Sequence, residues 1–295
     1  MQRLRFTNSC GQEVLFDNTD PYVFWTISGV EQPQTHVINT QATGQHGYTL
    51  VDVLLEPRTV TITGHVHGAQ GMTNAEQIRL MYELRQRLNA ICSPVLGVGT
   101  LTYENAHGRW QCAAFSRSKA YARKIRNVQT LSISLECPSP FWLDPEPTPV
   151  LLAFVGGGLE FPLVTPTEFG FLGYRAIADN TGDSPVPIEM YISGGAVNPR
   201  VTNKTTGEFI HVQRPMETHE ELFINTDPEH MEVTLLSVDP VSGAATRGNA
   251  YGYLSQDSTI MMMLVPGMNE LTFSSDDENR TIRIRIFYRR RFTGV

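Results

Sequence analysis

Cysteine is scarce in this sequence and never paired at short range. The chain has only Cys10, Cys92, Cys112 and Cys137, with no C-x-x-C spacing. A zinc site needs clustered ligands, and a disulfide framework needs an oxidising compartment. Neither is indicated, so we expect all four cysteines to be small buried residues.

Long apolar runs are also missing. The first ten residues, MQRLRFTNSC, are polar and basic, and no stretch approaches the roughly 20 apolar residues that a membrane-spanning helix needs. We therefore expect neither a signal peptide nor a membrane segment. Without export, the two N-glycosylation patterns, Asn203-Lys204-Thr205 and Asn279-Arg280-Thr281, are interpreted as chance matches to a short motif.

Recognisable catalytic motifs are lacking as well. The chain contains no G-x-S-x-G, no H-E-x-x-H and no phosphate-binding loop pattern. His65 and His67 lie two apart, as metal ligands sometimes do, but no acidic or cysteine partner has a typical spacing. We interpret them as residues of a polar strand face. The carboxylates of the second half favour solvated loops over a calcium site, because the EF-hand pattern is absent. We expect no enzyme activity, no cofactor and no metal.

Charge is low and unevenly distributed. Charged residues make up 18% of the chain. Residues 1–145 carry 12 Lys/Arg and 11 Asp/Glu, whereas residues 146–295 carry 11 and 19, a formal net charge of −8. A half with that charge is a poor candidate for binding nucleic acid, since phosphate binding requires clustered positive charge.

Two basic clusters interrupt this pattern. The first contains Arg117, Lys119, Arg123, Lys124 and Arg126, and the second contains Arg283, Arg285, Arg289, Arg290 and Arg291. Few aromatic residues lie among them, so pairing with acidic neighbours on this chain or on another subunit is favoured over nucleic-acid binding. The second cluster is our candidate for contacts with a partner.

The length of 295 residues suggests two domains. Residues 137–149, CPSPFWLDPEPTP, include five prolines in thirteen positions and predict a stiff boundary segment. We place a first domain at 1–140, a linker at 141–149 and a second domain at 150–295.

Periodicity predicts a mainly β chain with one helix. Thr73-Asn74-Ala75-Glu76 forms a capping-box pattern, and apolar residues then follow at helical spacing to about residue 92. Residues 59–67 and 129–135 alternate as strands of the first domain. Nine short alternating runs between 174 and 288 predict an antiparallel β-sandwich in the second.

The order of these segments resembles that of the distal tail proteins of siphophages, the long-tailed, non-contractile bacteriophages. The matching segments of the first domain are 24–30, 43–47, 58–68, the helix, 99–103 and 136–142. Those of the second are 161–163, 180–183, Gly194, 198–199, 203–207 and 264–269. The resemblance spans nearly the whole chain, although the Arg-rich last strand has no counterpart in the pattern.

This resemblance implies a ring-forming structural protein of the virion tail tip, assembled in the bacterial cytoplasm. Six copies would form a ring through the first domain, around the channel through which DNA passes without specific binding. The implied partners are further copies of the chain, the tail tube protein, a tail-tip hub or tail-associated protein and a receptor-binding protein. The second domain would be a galectin-like β-sandwich, a likeness of fold that does not establish sugar binding.

Residues 17–50 are predicted to form a belt that reaches a neighbouring subunit, because they offer few core positions and are long for a loop. The interface candidates there are Phe24, Trp25, Ile27, Val37, Ile38, His46 and Tyr48. We also expect a neutral or acidic channel, which the basic residues at 117–126 do not face. Two alternatives remain open: a carbohydrate-binding adhesion module, or an enzyme such as a wall hydrolase.

Overall fold

The computed structural model describes residues 2–17, 19, 21–67, 73–125, 128–155, 173–240, 242–277 and 282–295. They form two compact units, Met1–Pro145 with Phe292–Val295, and Glu146–Arg291. Both are built from antiparallel strands, and the described chain has one α-helix, so the predicted mainly β fold with a single helix is confirmed. Phe161-Pro162-Leu163, Asn279-Arg280-Thr281 and Arg126 lie outside the described residues.

The first unit is a sheet with one helix and a separate hairpin. Its elements are β1 (Arg3–Thr7), β2 (Glu13–Phe16), β3 (Tyr22–Ser28), β4 (Thr35–Thr40), β5 (Thr49–Leu55), β6 (Arg58–His67), α1 (Asn74–Ile91), a 3₁₀ turn (Pro94–Leu96), β7 (Gly99–Glu104), β8 (Arg109–Ile125), β9 (Val128–Cys137) and β10 (Trp142–Leu143). The sheet order is β2-β1-β7-β8-β9-β6-β3, and β10 pairs with β8. Strands β4 and β5 pair with each other, and with no other strand in the described part of the chain.

The alternation in β6 and β9 buries one face of each strand, as predicted. Ile62 lies opposite Ile133 in the register, and both are fully buried. Gly64 allows β3 to approach, since a Cβ there would lie 2.1 Å from the Val23 carbonyl oxygen. The core of the first unit therefore lies under these central strands.

Helix α1 begins at the predicted capping box, in which Thr73 and Glu76 bond reciprocally. Its buried face includes Met81, Leu88 and Ile91, whereas Tyr82 is 51% exposed. At the other end, the Lys119 ammonium donates to the carbonyl oxygens of the last turn, including that of Asn89 at 3.2 Å. A cation at the C-terminal end of a helix is electrostatically favourable.

The second unit is a strand-rich sandwich. Its elements are β11 (Thr148–Val155), β12 (Gly173–Asn180), β13 (Val186–Pro187), β14 (Glu189–Ser193), β15 (Ala196–Val197), β16 (Arg200–Asn203), β17 (Phe209–His211), β18 (Pro215–Met216), β19 (Glu220–Asn225), β20 (Glu232–Val238), β21 (Ala245–Asn249), a 3₁₀ turn (Tyr251–Tyr253), β22 (Met263–Leu264), β23 (Gly267–Ser274) and β24 (Arg283–Tyr288). The strand order is β17-β16-β23-β12-β11-β24-β14-β19-β20-β21. Strand β11 pairs with β24 through residues 148–152 and with β12 through 153–155, so it links the two halves.

Three asparagines with no exposed surface organise the core of the second unit. Asn203 donates to the Asn269 side-chain oxygen at 3.2 Å, and Asn269 donates to the Val265 carbonyl oxygen at 2.7 Å. Asn180 donates to the Leu264 carbonyl oxygen at 3.1 Å. Buried amides are stable only when bonded in this way. The Asn203 amide of the first N-glycosylation pattern is thus a buried, bonded group of this core.

The structure differs from the sequence expectations at three places. The unit boundary falls between Pro145 and Glu146, but Trp142–Leu143, inside the predicted linker, forms a strand with a fully buried tryptophan. The last strand, β25 (Arg291–Phe292), is followed by residues that belong to the first unit. Cys10 is exposed in the β1–β2 turn, whereas the other three cysteines are buried as expected.

Candidate self-assembly surface

The β4–β5 hairpin is exposed along its whole length. All residues of both strands are exposed except Leu55, which is half-buried. Val37 pairs with Val53 and His36 pairs with Leu54 in the register. A hairpin of two strands is marginally stable on its own in water. Among the residues that the structure describes, nothing provides this hairpin with the covering that normally stabilises a strand pair.

Its apolar content is high for an exposed element. The exposed apolar side chains are Val37 (37%), Ile38 (37%), Tyr48 (57%), Leu50 (56%), Val51 (59%), Val53 (44%) and Leu54 (49%). Val37 and Val53 share one face, and Ile38 and Leu54 lie on the other. Contiguous exposed apolar patches mark interaction sites more often than single exposed residues do. We refer to Thr35–Leu55 with its connecting turn as the apolar hairpin.

The root of the apolar hairpin is firmly held. The Glu56 amide donates to the Gln34 carbonyl oxygen at 2.8 Å, which closes the strand pair. Beside it, the buried Arg58 guanidinium donates to the Gly29 carbonyl oxygen at 2.8 Å and to the Glu31 carbonyl oxygen. The hairpin thus projects from a fixed base.

An exposed aromatic side chain lies on the neighbouring strand β3. Trp25 is 56% exposed, and its ring centroid lies 5.3 Å from that of His65, which stacks on His67 at 5.4 Å. Among the residues that the structure describes, no group of three His, Cys, Asp or Glu side chains is placed to hold a metal ion. The histidines lie on a half-buried polar strand face.

The predicted interface residues divide into two groups. Trp25, Val37, Ile38, His46 and Tyr48 are exposed. Phe24, in contrast, is buried in the core, and Ile27 packs against that core, so the Phe24 side chain is not available at the surface. The predicted belt over 17–50 needs the same correction: β3 belongs to the sheet, and the projecting part begins near residue 34.

Four apolar residues of the hairpin were not among the predicted interface candidates. They are Leu50, the last residue of the predicted belt, and Val51, Val53 and Leu54 beyond it, all in the run TLVDVLL of β5. A single-chain surface strand would alternate apolar and polar residues. The near absence of alternation in this run was the signal of a strand that is covered on both faces.

The basic clusters form internal contacts. Arg285 pairs with Glu221 at 2.8 Å, and Arg291 pairs with Asp227 at 3.4 Å. Arg290 donates to the Thr181 hydroxyl at 2.7 Å. Arg283 and Arg289 are exposed. The second cluster is thus partly neutralised inside its own unit, and its contact with a partner stays a prediction.

In the first cluster, Arg117 pairs with Glu136 at 3.1 Å, while Lys119 binds the end of α1. Burial lowers the pKa of Lys119, with the nearby Cys92 acting in the opposite direction. These two residues therefore do not form a free cationic surface.

No α-helix in the part of the chain that the structure describes is long and apolar enough to cross a bilayer.

Comparisons with known proteins agree in both halves of the chain. Residues 9–137 match the family of phage tail protein RIFT-related domains, and residues 181–292 match the siphovirus-type tail component, C-terminal domain. No curated protein matches the sequence.

The fold is similar to the crystal structure of SPP1 Dit, described as a paradigm of the hub adsorption apparatus in phages infecting Gram-positive bacteria. That match covers 99% of each chain with a TM-score of 0.65 and 13% identity. A chain of the phage P2 baseplate in its activated conformation with Ca matches at a TM-score of 0.48 and 14% identity, covering 100% of this chain and 99% of that chain. Two family matches on successive segments and a full-length likeness of fold lead to one conclusion: the chain belongs to the distal tail protein family of siphophages, structural components of the phage tail.

Proposed function

We propose that this protein forms a ring, with six copies as the expected number, that joins the tail tube to the receptor-binding apparatus and surrounds the DNA exit channel. The observation that carries the proposal is the apolar hairpin, which projects from the first unit with apolar side chains on both faces. A second copy of the chain would supply the missing cover. When one surface patch meets a different patch on an identical neighbour, the copies form a ring if the rotation between them closes.

The energies favour a closed ring over a dimer. Burying the exposed half of one Val or Leu side chain contributes about 1 kcal/mol. Seven such residues therefore contribute about 5–10 kcal/mol, which is close to the 4–15 kcal/mol that association costs in lost freedom. One hairpin contact would give a weak dimer. Closing a ring adds one further contact between subunits that are already joined, so no additional subunit loses translational and rotational freedom.

The remaining parts of the proposal follow from family membership. The partners are the tail tube protein, a tail-tip hub or tail-associated protein and a receptor-binding protein, and the site of action is the virion tail tip after assembly in the host cytoplasm. DNA passes through the ring without being recognised. The second unit is a galectin-like sandwich, and the protein acts without catalysis or a cofactor.

The test compares the intact chain with hairpin variants by size-exclusion chromatography and negative-stain microscopy. Replacing residues 35–55 by a short Gly-Ser turn between Gln34 and Glu56 should leave folded monomers, since those two residues already pair. The double variant Val53→Asp/Leu54→Asp should weaken ring formation at least tenfold. Val95→Asp is the matched control, because Val95 is 91% exposed outside the hairpin. Rings that survive the deletion would refute the role of the hairpin.

One observation favours a second candidate function, carbohydrate binding. Tyr191 lies 4.9 Å from Phe223 and 5.8 Å from Phe287 between ring centroids, on the outer face of the second unit. The Arg285 guanidinium lies 5.2 Å from the Tyr191 centroid. Burial, followed by the charges of Glu189 and Glu221, raises the pKa of Tyr191. The Tyr191 hydroxyl is a hydrogen-bond donor at neutral pH, as an ordinary tyrosine is. Glycan-array binding that Tyr191→Ala abolishes would support this function, and an array without signal would dismiss it.

A further inference from the structure

We propose that Cys112 and Cys137 are a site of covalent modification, a thiol pair that hydrogen peroxide converts into a disulfide once the tail has left the reducing host cytoplasm. Their spacing in the sequence indicates no such bond, because the two residues are 25 positions apart. The bond itself is a property of the first unit alone. Its timing rests on the proposed function, since a tail component is carried out of the cell in the virion.

The two sulfur atoms meet in the core of the first unit. The Cys112 Sγ donates to the Cys137 Sγ at 3.2 Å, and both side chains are buried. A disulfide places its sulfur atoms about 2.0 Å apart, so the two atoms must approach each other by about 1.2 Å. Rotation of the two side chains can supply a movement of this size. The fold therefore brings together the two atoms that the bond would join.

The strand pairing shows which parts of the sheet such a bond would connect. Strand β8 pairs with β7 through residues 109–114 and with β9 through residues 115–125, so it passes from one half of the sheet to the other. Cys112 lies opposite Leu101 of β7, whereas Cys137 ends β9 opposite Arg58 of β6. A disulfide would thus link the two halves of the sheet through the core.

The cross-link would also strengthen the base of the apolar hairpin. Arg58, the register partner of Cys137, donates to the carbonyl oxygens of Gly29 and Glu31 at the root of the hairpin. Closing a segment of 25 residues with a disulfide restricts the unfolded chain. On the chain-entropy scale this lowers the unfolding equilibrium constant of the first unit about 300-fold. The modification would therefore stabilise the assembled subunit without changing its surface.

The reaction transfers two electrons from the thiols to the peroxide. One thiol, as its thiolate, attacks a peroxide oxygen; the O–O bond breaks, a sulfenic acid forms, and the released hydroxide takes up the thiol proton to give water. The second thiol attacks the sulfenic sulfur, the S–O bond breaks, and a second water leaves. Two thiols and one hydrogen peroxide thus give one disulfide and two waters.

The surroundings of the pair make this oxidation slow. The hydrogen bond with Cys137, followed by burial, raises the pKa of the Cys112 thiol well above its usual range, although Arg58 acts in the opposite direction. Because the thiolate is the reactive form, oxidation at neutral pH should take hours rather than seconds. Fraying of the two-residue strand β10, which pairs with β8 through Leu143 and Gln111, gives the peroxide access beside Cys112.

The first experiment detects the bond in the purified protein. A Cys10→Ser background removes the exposed thiol, and the other three cysteines are buried. After incubation with dilute hydrogen peroxide the protein is denatured, its free thiols are alkylated, and it is digested with trypsin, which cleaves after Arg117 between the two cysteines. The peptides of Cys112 and Cys137 should be joined, with the loss of two hydrogen atoms. Two alkylated, separate peptides would overturn the inference, provided that Cys10 of the wild type is oxidised under the same conditions.

The second experiment compares the melting temperature of each variant before and after oxidation. The Cys10→Ser protein should gain about 7–14 °C for the first unit. Cys112→Ala and Cys137→Ala, added to this background, should abolish the gain, whereas Cys92→Ala, which removes a different buried cysteine, should keep it. Each variant is its own reference, so a general loss of stability does not obscure the result. A gain that survives in Cys112→Ala would overturn the inference.

The third experiment tests the timing. Cells that produce the chain are opened directly into denaturant with N-ethylmaleimide, and both thiols should be labelled, because the cytosol keeps cysteines reduced. A disulfide that is already complete at this point would overturn the proposed timing. None of these assays requires a ring. Rings whose subunits never form the bond would overturn this inference alone, and monomers that form the bond would overturn the proposed function alone.

Discussion

The guanidinium of Arg58 lies over the indole ring of Trp142, with 5.3 Å between the Arg58 Cζ atom and the ring centroid. Both side chains are fully buried in the first unit. Arg58 also donates to the Pro140 carbonyl oxygen through two nitrogens, at 3.0 and 2.8 Å, and to the Thr293 carbonyl oxygen. The Trp142 indole N–H donates to the Val30 carbonyl oxygen at 3.1 Å. This pair therefore connects the hairpin root with two segments that are distant in sequence.

Replacing Arg58 with alanine should lower the free energy of unfolding by about 3–5 kcal/mol, because several buried carbonyl oxygens lose a charge-assisted donor. Arg58→Lys should recover only part of that loss, since an ammonium group cannot reproduce the planar fork. Urea denaturation measures both values. The exposed Arg79→Ala should stay within about 0.5 kcal/mol of wild type. A loss below about 1 kcal/mol for Arg58→Ala would contradict the role assigned to this residue.

Deleting Phe292–Val295 should destabilise the first unit by about 2–4 kcal/mol. The deletion removes the Phe292 ring, which lies edge-on to Trp110 at 6.3 Å, and the Val295 amide that donates to the Val30 carbonyl oxygen. Hydrogen exchange should increase in β8 and β10 more than in β19 and β20. Phe292→Leu, which keeps an apolar side chain, serves as the mild control. Equal protection in both units after the deletion would argue against the assignment of these residues to the first unit.

Asn203→Ala should destabilise the second unit by about 1–3 kcal/mol, because buried partners of the Asn203 amide, including the Asn269 side-chain oxygen, lose a hydrogen bond. Thermal denaturation measures this loss. Lys204 is an exposed residue of the neighbouring turn, so Lys204→Ala should have little effect in the same assay. A loss below about 0.5 kcal/mol for Asn203→Ala would contradict the role assigned to this amide.

Ionisation of Tyr22 should lower the free energy of unfolding at high pH. Burial raises the pKa of Tyr22 to about 12, an effect that Arg87 partly opposes, and the Tyr22 hydroxyl donates to the Leu84 carbonyl oxygen at 2.9 Å. The unfolded chain loses this proton near pH 10, so the stabilisation is complete below pH 10 and declines as pH rises through 12. The stability difference between wild type and Tyr22→Phe should therefore shift by about 2 kcal/mol across that interval. A constant difference would contradict the raised pKa.

Local signals in the sequence were sufficient for much of this fold. The Thr73–Glu76 capping box located the start of α1, and the alternation in β6 and β9 identified their buried faces. These features depend on neighbouring residues and on the period of the structure, which can be read from a short window. The mainly β class followed from the same signals.

Other features depend on residues that are far apart in the chain. Arg58 and Thr293 are 235 positions apart, and no local pattern indicates that they meet. The exposure of Cys10 likewise depends on which side of the β1–β2 turn other residues cover. The cysteine residue type by itself had suggested burial. For the self-assembly surface, residues of β4 were found as candidates, but those of β5 were missed because the predicted belt was ended at residue 50, in the middle of that strand.

The chain leaves the first unit once, after Pro145, and re-enters it at Phe292, so the second unit occupies an internal position in the chain. A fragment of residues 150–295 would begin inside β11. It would also contain Phe292–Val295, which pack in the first unit, without the residues that they contact there. Residues 146–291 are the natural piece for domain exchange. Transfer of a second unit between related phages by recombination would accordingly need two crossovers, one on each side, and single-crossover chimeras should fold poorly.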